Sequence, residues 1–90
     1  MDIRAFQKLI ADRYQQRDFQ RGTPRTFMWF VEEVGELATA LADEKTTQKE
    51  KEEEFADIFA WLCTLANING VDIETACIEK YYNSQPKGFK

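Results

Sequence analysis

The chain has 90 residues, a net charge of −4 and a hydrophobic fraction of 43%. This length fits one small domain, residues 1–90, with a limited core, so we interpret the high hydrophobic fraction as surface for an oligomer interface. The acidic balance argues against nucleic-acid polymers and anionic membrane surfaces as partners, since both attract basic residues. Because no apolar run is long enough to cross a bilayer and no signal-peptide pattern opens the chain, we expect a cytoplasmic protein.

Hydrophobic periodicity predicts an all-α fold of four helices, with no strand pattern. The first helix covers residues 2–17 and begins at an N-cap, Asp2. From Asp18 to Pro24 the apolar pattern stops, which predicts a loop. Proline suits the first turn of a helix, so the second helix is predicted to cover residues 24–42.

The third helix is predicted over residues 48–67, after a capping box that begins at Thr47. The fourth is predicted over residues 73–82, after an N-cap at Asp72. The remaining segment has turn character, and we expect residues 83–90 to form a mobile tail.

Apolar residues at helical spacing mark the faces that are expected to point inward. On the second helix these are Phe27, Phe30, Val31, Val34, Leu37, Ala38 and Leu41; on the third they are Phe55, Ile58, Phe59, Leu62, Leu65 and Ala66; on the fourth they are Ile73, Ala76, Cys77 and Tyr81.

Histidine is absent from the sequence. Its absence excludes Ser-His and Cys-His nucleophile pairs and the Glu-x-x-His pairs of di-iron bundles. Zinc is disfavoured too, because it prefers nitrogen and sulfur ligands. We interpret Cys63 and Cys77, which lie on apolar helix faces, as small buried thiols rather than disulfide or metal ligands. What remains is an abundance of oxygen ligands, which favour hard metal ions.

Two acidic pairs stand out, Glu33/Glu36 on the second helix and Glu54/Asp57 on the third. Each pair has i,i+3 spacing, which places both side chains on one helix face. If the two helices pack antiparallel, four carboxylates converge and repel one another. Glu54 also lies within the apolar face, where a carboxylate is costly unless it is paired or metal-bound. These features predict a site for Mg²⁺, with Mn²⁺ as the alternative.

Neighbouring residues admit simpler interpretations. The acidic start of the third helix, with Glu50, Glu52 and Glu53, is interpreted as a solvated turn that complements the helix dipole. Glu32 is either a surface residue or an outer partner of the site. Gly35 is either tolerated in the helix or permits close approach of another backbone or a ligand.

The acidic residues also match a known pattern. The sequence resembles the MazG-like nucleotide pyrophosphohydrolases of the all-α NTP pyrophosphatase superfamily. Their motif, Glu-Glu-x-x-Glu followed by Glu-x-x-Asp, stands here as Glu32-Glu33-Val34-Gly35-Glu36 and Glu54-Phe55-Ala56-Asp57. The resemblance extends from the Gly22 region through the fourth helix. It implies metal-dependent hydrolysis of a nucleoside triphosphate to the monophosphate and pyrophosphate.

The same resemblance assigns roles to individual residues. It implies that Glu33, Glu36, Glu54 and Asp57 hold Mg²⁺ and carry the catalysis. It also implies that Lys80 and Asn83 contact phosphates and that Trp61 contacts the nucleoside. Trp61 equally fits a core or interface aromatic. Family members usually carry a further basic residue downstream, to which Lys87 is a weak match.

The resemblance further implies a homo-oligomer, either a dimer or a tetramer built from dimers. Three functional hypotheses follow: a nucleotide pyrophosphohydrolase, a helical module that binds Mg²⁺ or nucleotide without turnover, and a structural bundle with solvated acidic faces. A biosynthetic substrate, as in the related phosphoribosyl-ATP pyrophosphohydrolases, stays open.

Overall fold

The computed structural model describes residues 1–85 and 87–88. Over these residues the chain is all-α without strands, which confirms the predicted fold class. Positions 86, 89 and 90 of the expected mobile tail lie outside the described residues. No helix in the described part of the chain combines the length and apolarity needed to span a bilayer. The helices are α1 (Ile3–Arg21), α2 (Thr23–Ala42), α3 (Gln48–Ile68) and α4 (Ile73–Cys77), and a π-helical turn (Ile78–Tyr82) continues α4.

Side-chain caps begin three of the helices where the sequence predicts them. Asp2 accepts a backbone hydrogen bond from the first turn of α1 at 2.8 Å, and Asp72 does the same for α4 at 2.9 Å. Thr47 and Glu50 form a reciprocal capping box at the start of α3. Because each cap satisfies a backbone N–H that has no partner within its helix, these three starts are encoded locally.

Helix α1 is longer than the sequence predicts, and the expected loop from Asp18 to Pro24 is wrong. The helix continues to Arg21, and the chain turns at Gly22, whose φ of 83° is the left-handed conformation that glycine adopts at low cost. Within the added turn, Arg21 donates to Asp18 at 2.7 Å and to the hydroxyl of Thr26 on α2 at 2.9 Å. These polar contacts, one within α1 and one between α1 and α2, hold the turn, and hydrophobic periodicity does not detect them.

Helix α3 lies at the centre of the chain because it packs against both α2 and α1, whereas α1 and α2 contact each other little. The buried core is small and contains Ile10, Cys63 and Ala66. Burial raises the pKa of the Cys63 thiol to about 11, which makes it unreactive. The expectation of a buried thiol is thus confirmed for Cys63 and wrong for Cys77, which is exposed.

Much of the predicted inward face is exposed in a single chain. The reason is geometric: α3 covers α1 and part of α2, but within residues 1–85 and 87–88 no fourth long helix covers the rest of α2 or the far side of α3. The prediction that these residues point inward is therefore not met within a single chain, and the exposed apolar surface is the surplus that the composition led us to interpret as an oligomer interface. Those exposed are Phe27, Val31, Val34, Ala38, Leu41, Phe55, Leu62, Ala76, Cys77 and Tyr81.

The buried side chain of Gln7 links helices that lie far apart in the sequence. Gln7 on α1 donates to Asn67 at 2.9 Å and to the carbonyl of Val71 at 2.7 Å, and it accepts from the backbone of Ile73 at 3.0 Å. Its exposed fraction is only 8%. The amide thereby joins α1 to the end of α3 and to the first turn of α4.

We predict that Gln7→Ala destabilises the protein, because it leaves buried backbone and side-chain groups without partners. The expected loss is about 1–3 kcal/mol in the free energy of unfolding, measured by urea denaturation. Gln20→Ala, at an exposed position of the same helix, is the control. Equal stability of the two variants would contradict a structural role for Gln7.

Candidate functional site

Three acidic residues from two helices meet between α2 and α3. Glu33 and Glu36 lie one turn apart on α2, and Glu54 lies on the facing turns of α3. One carboxylate oxygen from each residue lies within 4.8 Å of the others. We call these three residues the acidic cluster.

Asp57, the fourth predicted carboxylate, is not part of this closest group. Its side chain is exposed, one turn beyond Glu54 on α3. Its negative charge nevertheless contributes to raising the pKa of both Glu33 and Glu54. Asp57 therefore lies at the edge of the acidic cluster, within electrostatic reach of it.

The pKa shifts of the cluster report crowding of negative charge. Burial is the main cause that raises the pKa of Glu33, followed by a hydrogen bond shared with Glu36. Burial likewise raises the pKa of Glu54, and the charges of Glu36 and Asp57 add to the effect. Over residues 1–85 and 87–88, no lysine or arginine forms an ion pair with these carboxylates.

Two oxygens of the cluster are buried without a hydrogen-bond partner among the described residues: Oε2 of Glu33 and Oε2 of Glu54. A buried carboxylate oxygen without a partner lowers the stability of the fold, because it loses its hydrogen bonds to water and forms none within the protein. Several carboxylate oxygens within a few ångströms are the ligand set that hard divalent cations prefer. The residues of the acidic cluster therefore fit a metal ion.

Gly35, the glycine next to the acidic cluster, is not in close contact with another part of the described chain. A Cβ at Gly35 would meet no atom within 4 Å. Both remaining interpretations of Gly35, simple tolerance and approach by a ligand or a second chain, are compatible with this open space.

An aromatic cluster lies beside the acidic one. Trp29 and Trp61 meet edge to face, with ring centroids 5.7 Å apart. The guanidinium of Arg21 lies 4.9 Å from the centroid of Trp29 and 5.1 Å from that of Trp61. Since Trp29 precedes Glu33 by four residues and Trp61 follows Asp57 by four, each tryptophan lies one helical turn from a predicted metal ligand.

Next to Trp61 the structure contains a partly open pocket of about 260 Å³ between α1 and α3. Tyr14, Asp18 and Arg21 of α1 and Thr64 of α3 contribute to its lining. Asp18 is only 2% exposed, and its Oδ2 has no hydrogen-bond partner among the described residues. The pocket thus combines an aromatic wall with a buried polar group.

The sequence does not single out Asp18 or Arg21 as site residues, because both follow the end of the predicted first helix. The signal that could have found them is their i,i+3 spacing. An aspartate and an arginine one turn apart would extend that helix by a turn and pair on one face.

The two polar residues predicted to bind phosphates lie elsewhere on the chain. Lys80 borders an apolar groove that includes Leu62 and Leu65, and its Nζ lies 5.6 Å from the ring centroid of Tyr81. Asn83 caps the π-helical turn. In the described part of the chain, neither forms a hydrogen bond or ion pair with the acidic cluster, and their role stays a prediction.

We predict that Glu54→Gln raises the melting temperature of the metal-free protein by a few degrees, because it removes one of the repelling charges. The same change should abolish the rise in melting temperature that Mg²⁺ produces in the wild type by binding the folded state. Scanning calorimetry with and without Mg²⁺ measures both effects.

Glu52→Gln, at an exposed position of the same helix, should leave the Mg²⁺ effect intact. A Glu54→Gln protein that is less stable without metal and equally stabilised by Mg²⁺ would contradict the metal assignment.

The site can now be compared with known proteins. Residues 22–89 match the MazG nucleotide pyrophosphohydrolase domain. The match covers most of the chain, includes both acidic pairs, and implies hydrolase activity. None of the curated proteins matches the chain. On the extent of the domain match, the chain belongs to the MazG nucleotide pyrophosphohydrolase family.

Proposed function

We propose that the protein is a Mg²⁺-dependent nucleoside triphosphate pyrophosphohydrolase. It converts an NTP or dNTP to the nucleoside monophosphate and pyrophosphate, in house-cleaning of the nucleotide pool. The observation that carries this proposal is the acidic cluster, with two buried oxygens that lack a partner, in a chain of this family.

Glu33, Glu36 and Glu54 would hold Mg²⁺, and Asp57 at the edge of the cluster would supply a further oxygen. The separation of the carboxylate oxygens, within 4.8 Å, supports a shared ion. Bound there, Mg²⁺ supplies charge neutralisation and polarisation of phosphoryl oxygens. Without it, a triphosphate would be repelled by the bare carboxylates.

The remaining residues would position the nucleotide. The pocket beside Trp61 offers an aromatic wall for the nucleoside, and the carboxylates of the acidic cluster, about 10 Å further along α3, would face the phosphates. Direct attack of water on phosphorus needs no nucleophilic side chain, which suits a chain without histidine. Lys80, in the π-helical turn, and Asn83, which caps that turn, are proposed to contact phosphates.

We also propose that the protein acts as a homo-oligomer, a dimer or a tetramer of dimers. Apolar side chains of α2 that include Phe27, Val31 and Val34 are exposed in a single chain. Leu62 and Leu65 on α3 line an apolar groove of about 420 Å³ together with α4. Exposed apolar surface of this kind is typical of an interface, and a second copy is the proposed occupant.

We predict that the pure protein releases pyrophosphate and the monophosphate from at least one member of a panel of NTPs and dNTPs with Mg²⁺. Glu33→Gln should lower kcat/KM by about 100-fold or more, because it removes a metal ligand, whereas Glu52→Gln should leave kcat/KM unchanged. Chromatography of the nucleotide products is the measurement.

Two results would count against the hydrolase. Nucleotide binding in Mg²⁺ that leaves every substrate intact would favour a binding module instead. Equal activity of Glu33→Gln and the wild type would remove the acidic cluster from the mechanism.

We predict that light scattering gives the mass of two or four chains. Val31→Glu should shift the protein toward the monomer, because it places a charge on the exposed apolar face of α2. Gln20→Glu, at an exposed position of α1, should not change the mass. A folded wild-type monomer at micromolar concentration would contradict the oligomer.

A further inference from the structure

We propose that Asp18 selects nucleotides whose base carries an exocyclic amino group, as cytosine, adenine and guanine do and uracil, thymine and hypoxanthine do not. This inference rests on the proposed function and names the substrate class of the same site. It comes from a buried carboxylate whose hydrogen bonding is only half satisfied.

The two oxygens of Asp18 differ in their environment. Oδ1 accepts from the guanidinium of Arg21 at 2.7 Å, whereas Oδ2 is buried and has no hydrogen-bond partner among the described residues. The side chain is 2% exposed, so bulk water does not solvate it. A buried carboxylate oxygen in this state lacks a donor, and a ligand in the adjoining pocket can supply one.

Arg21 does not supply that donor, because the hydrogen bonds that it donates among the described residues go to other acceptors. Its Nε donates to the hydroxyl of Thr26, and its Nη2 donates to Oδ1 of Asp18. Its guanidinium also lies over the rings of Trp29 and Trp61. Arg21 therefore fixes the carboxylate through Oδ1, and the buried Oδ2 keeps no partner among the described residues.

The position of Asp18 fits contact with a base. It lines the pocket of about 260 Å³ together with Trp61, and an indole is a surface on which any base can stack. Trp61 follows Glu54 by seven residues, which is about 10 Å along α3 at 1.5 Å per residue. A nucleotide with its phosphates at the acidic cluster can thus direct its base toward Asp18.

The chemistry of the bases decides which of them suits a carboxylate. An exocyclic amino group presents two N–H donors at the outer edge of the ring, and aspartate accepts from the N4 amino group of cytosine. Uracil and thymine present a carbonyl oxygen at the same position, and hypoxanthine does so in place of the amino group of adenine. A carboxylate that faces this carbonyl meets a second acceptor and is left unpaired.

The test compares pairs of nucleotides that differ in one exocyclic group: dCTP against dUTP, and dATP against dITP. Their α,β-imido analogues are titrated into the full chain with Mg²⁺, and calorimetry gives each Kd. We expect the amino member to bind about tenfold more tightly or better in at least one pair. Asp18→Asn should abolish or invert the preference, because the asparagine amide can donate to a carbonyl.

Asp12→Asn is the matched control. Asp12 lies on the same helix, is exposed, and pairs with Lys8 at 2.9 Å. Removal of its charge should leave the ratio of Kd values within each nucleotide pair unchanged. Circular dichroism checks that each variant is folded. The wild-type ratios test the proposal even if Asp18→Asn fails to fold.

The outcomes separate this inference from the proposed function. Equal binding within both pairs, tighter binding of the carbonyl member, absence of any binding, or a folded Asp18→Asn protein with wild-type ratios would overturn the role of Asp18. Hydrolysis of dCTP, dUTP, dATP and dITP at equal rates would defeat this inference and leave the proposed hydrolase in place. Preferential binding of the amino members without hydrolysis of any would defeat the hydrolase and support Asp18.

Discussion

Repulsion among carboxylates on two neighbouring helices is the constraint on which the rest of this structure depends. Packing of α3 against α2 brings Glu54 to Glu33 and Glu36, with oxygens within 4.8 Å. Burial and like charge raise the pKa of Glu33 and Glu54, so the arrangement costs stability whenever the carboxylates are ionised and no ion is present. Since no lysine or arginine of the described chain pairs with them, a divalent cation is the partner that we propose for these carboxylates.

Arg21 contributes to a different part of the site. Arg21 pairs with Asp18, donates to Thr26 and lies over both tryptophans. The positive charge of Arg21 is thereby held beside the aromatic pocket, and Arg21 forms no ion pair with the acidic cluster. In the proposed function, one region of the site would hold a metal ion and the phosphates, and the other would hold a base. Both regions follow from the way α3 packs between α1 and α2.

The sequence predicts well those features that depend on neighbouring residues. The caps at Asp2, Thr47 and Asp72 follow from local hydrogen bonding, and the i,i+3 acidic pairs place their side chains on one face of each helix. What it misses depends on contacts between helices. The extra turn of α1 is held by Arg21 across Gly22, and the exposure of Cys77 reflects a single chain that cannot cover all its apolar faces. Hydrophobic periodicity contains no information on either, because it marks an apolar face without saying what covers it.

The most direct test of the central claim is a crystal structure of the protein soaked with Mn²⁺, read by anomalous scattering. We expect an anomalous peak between α2 and α3, within about 2.0–2.3 Å of carboxylate oxygens of Glu33, Glu36 and Glu54. Carboxylates that turn away from one another into solvent, or a Mn²⁺ peak that lies only at other acidic residues, would contradict the claim that these two helices are built to share a metal ion.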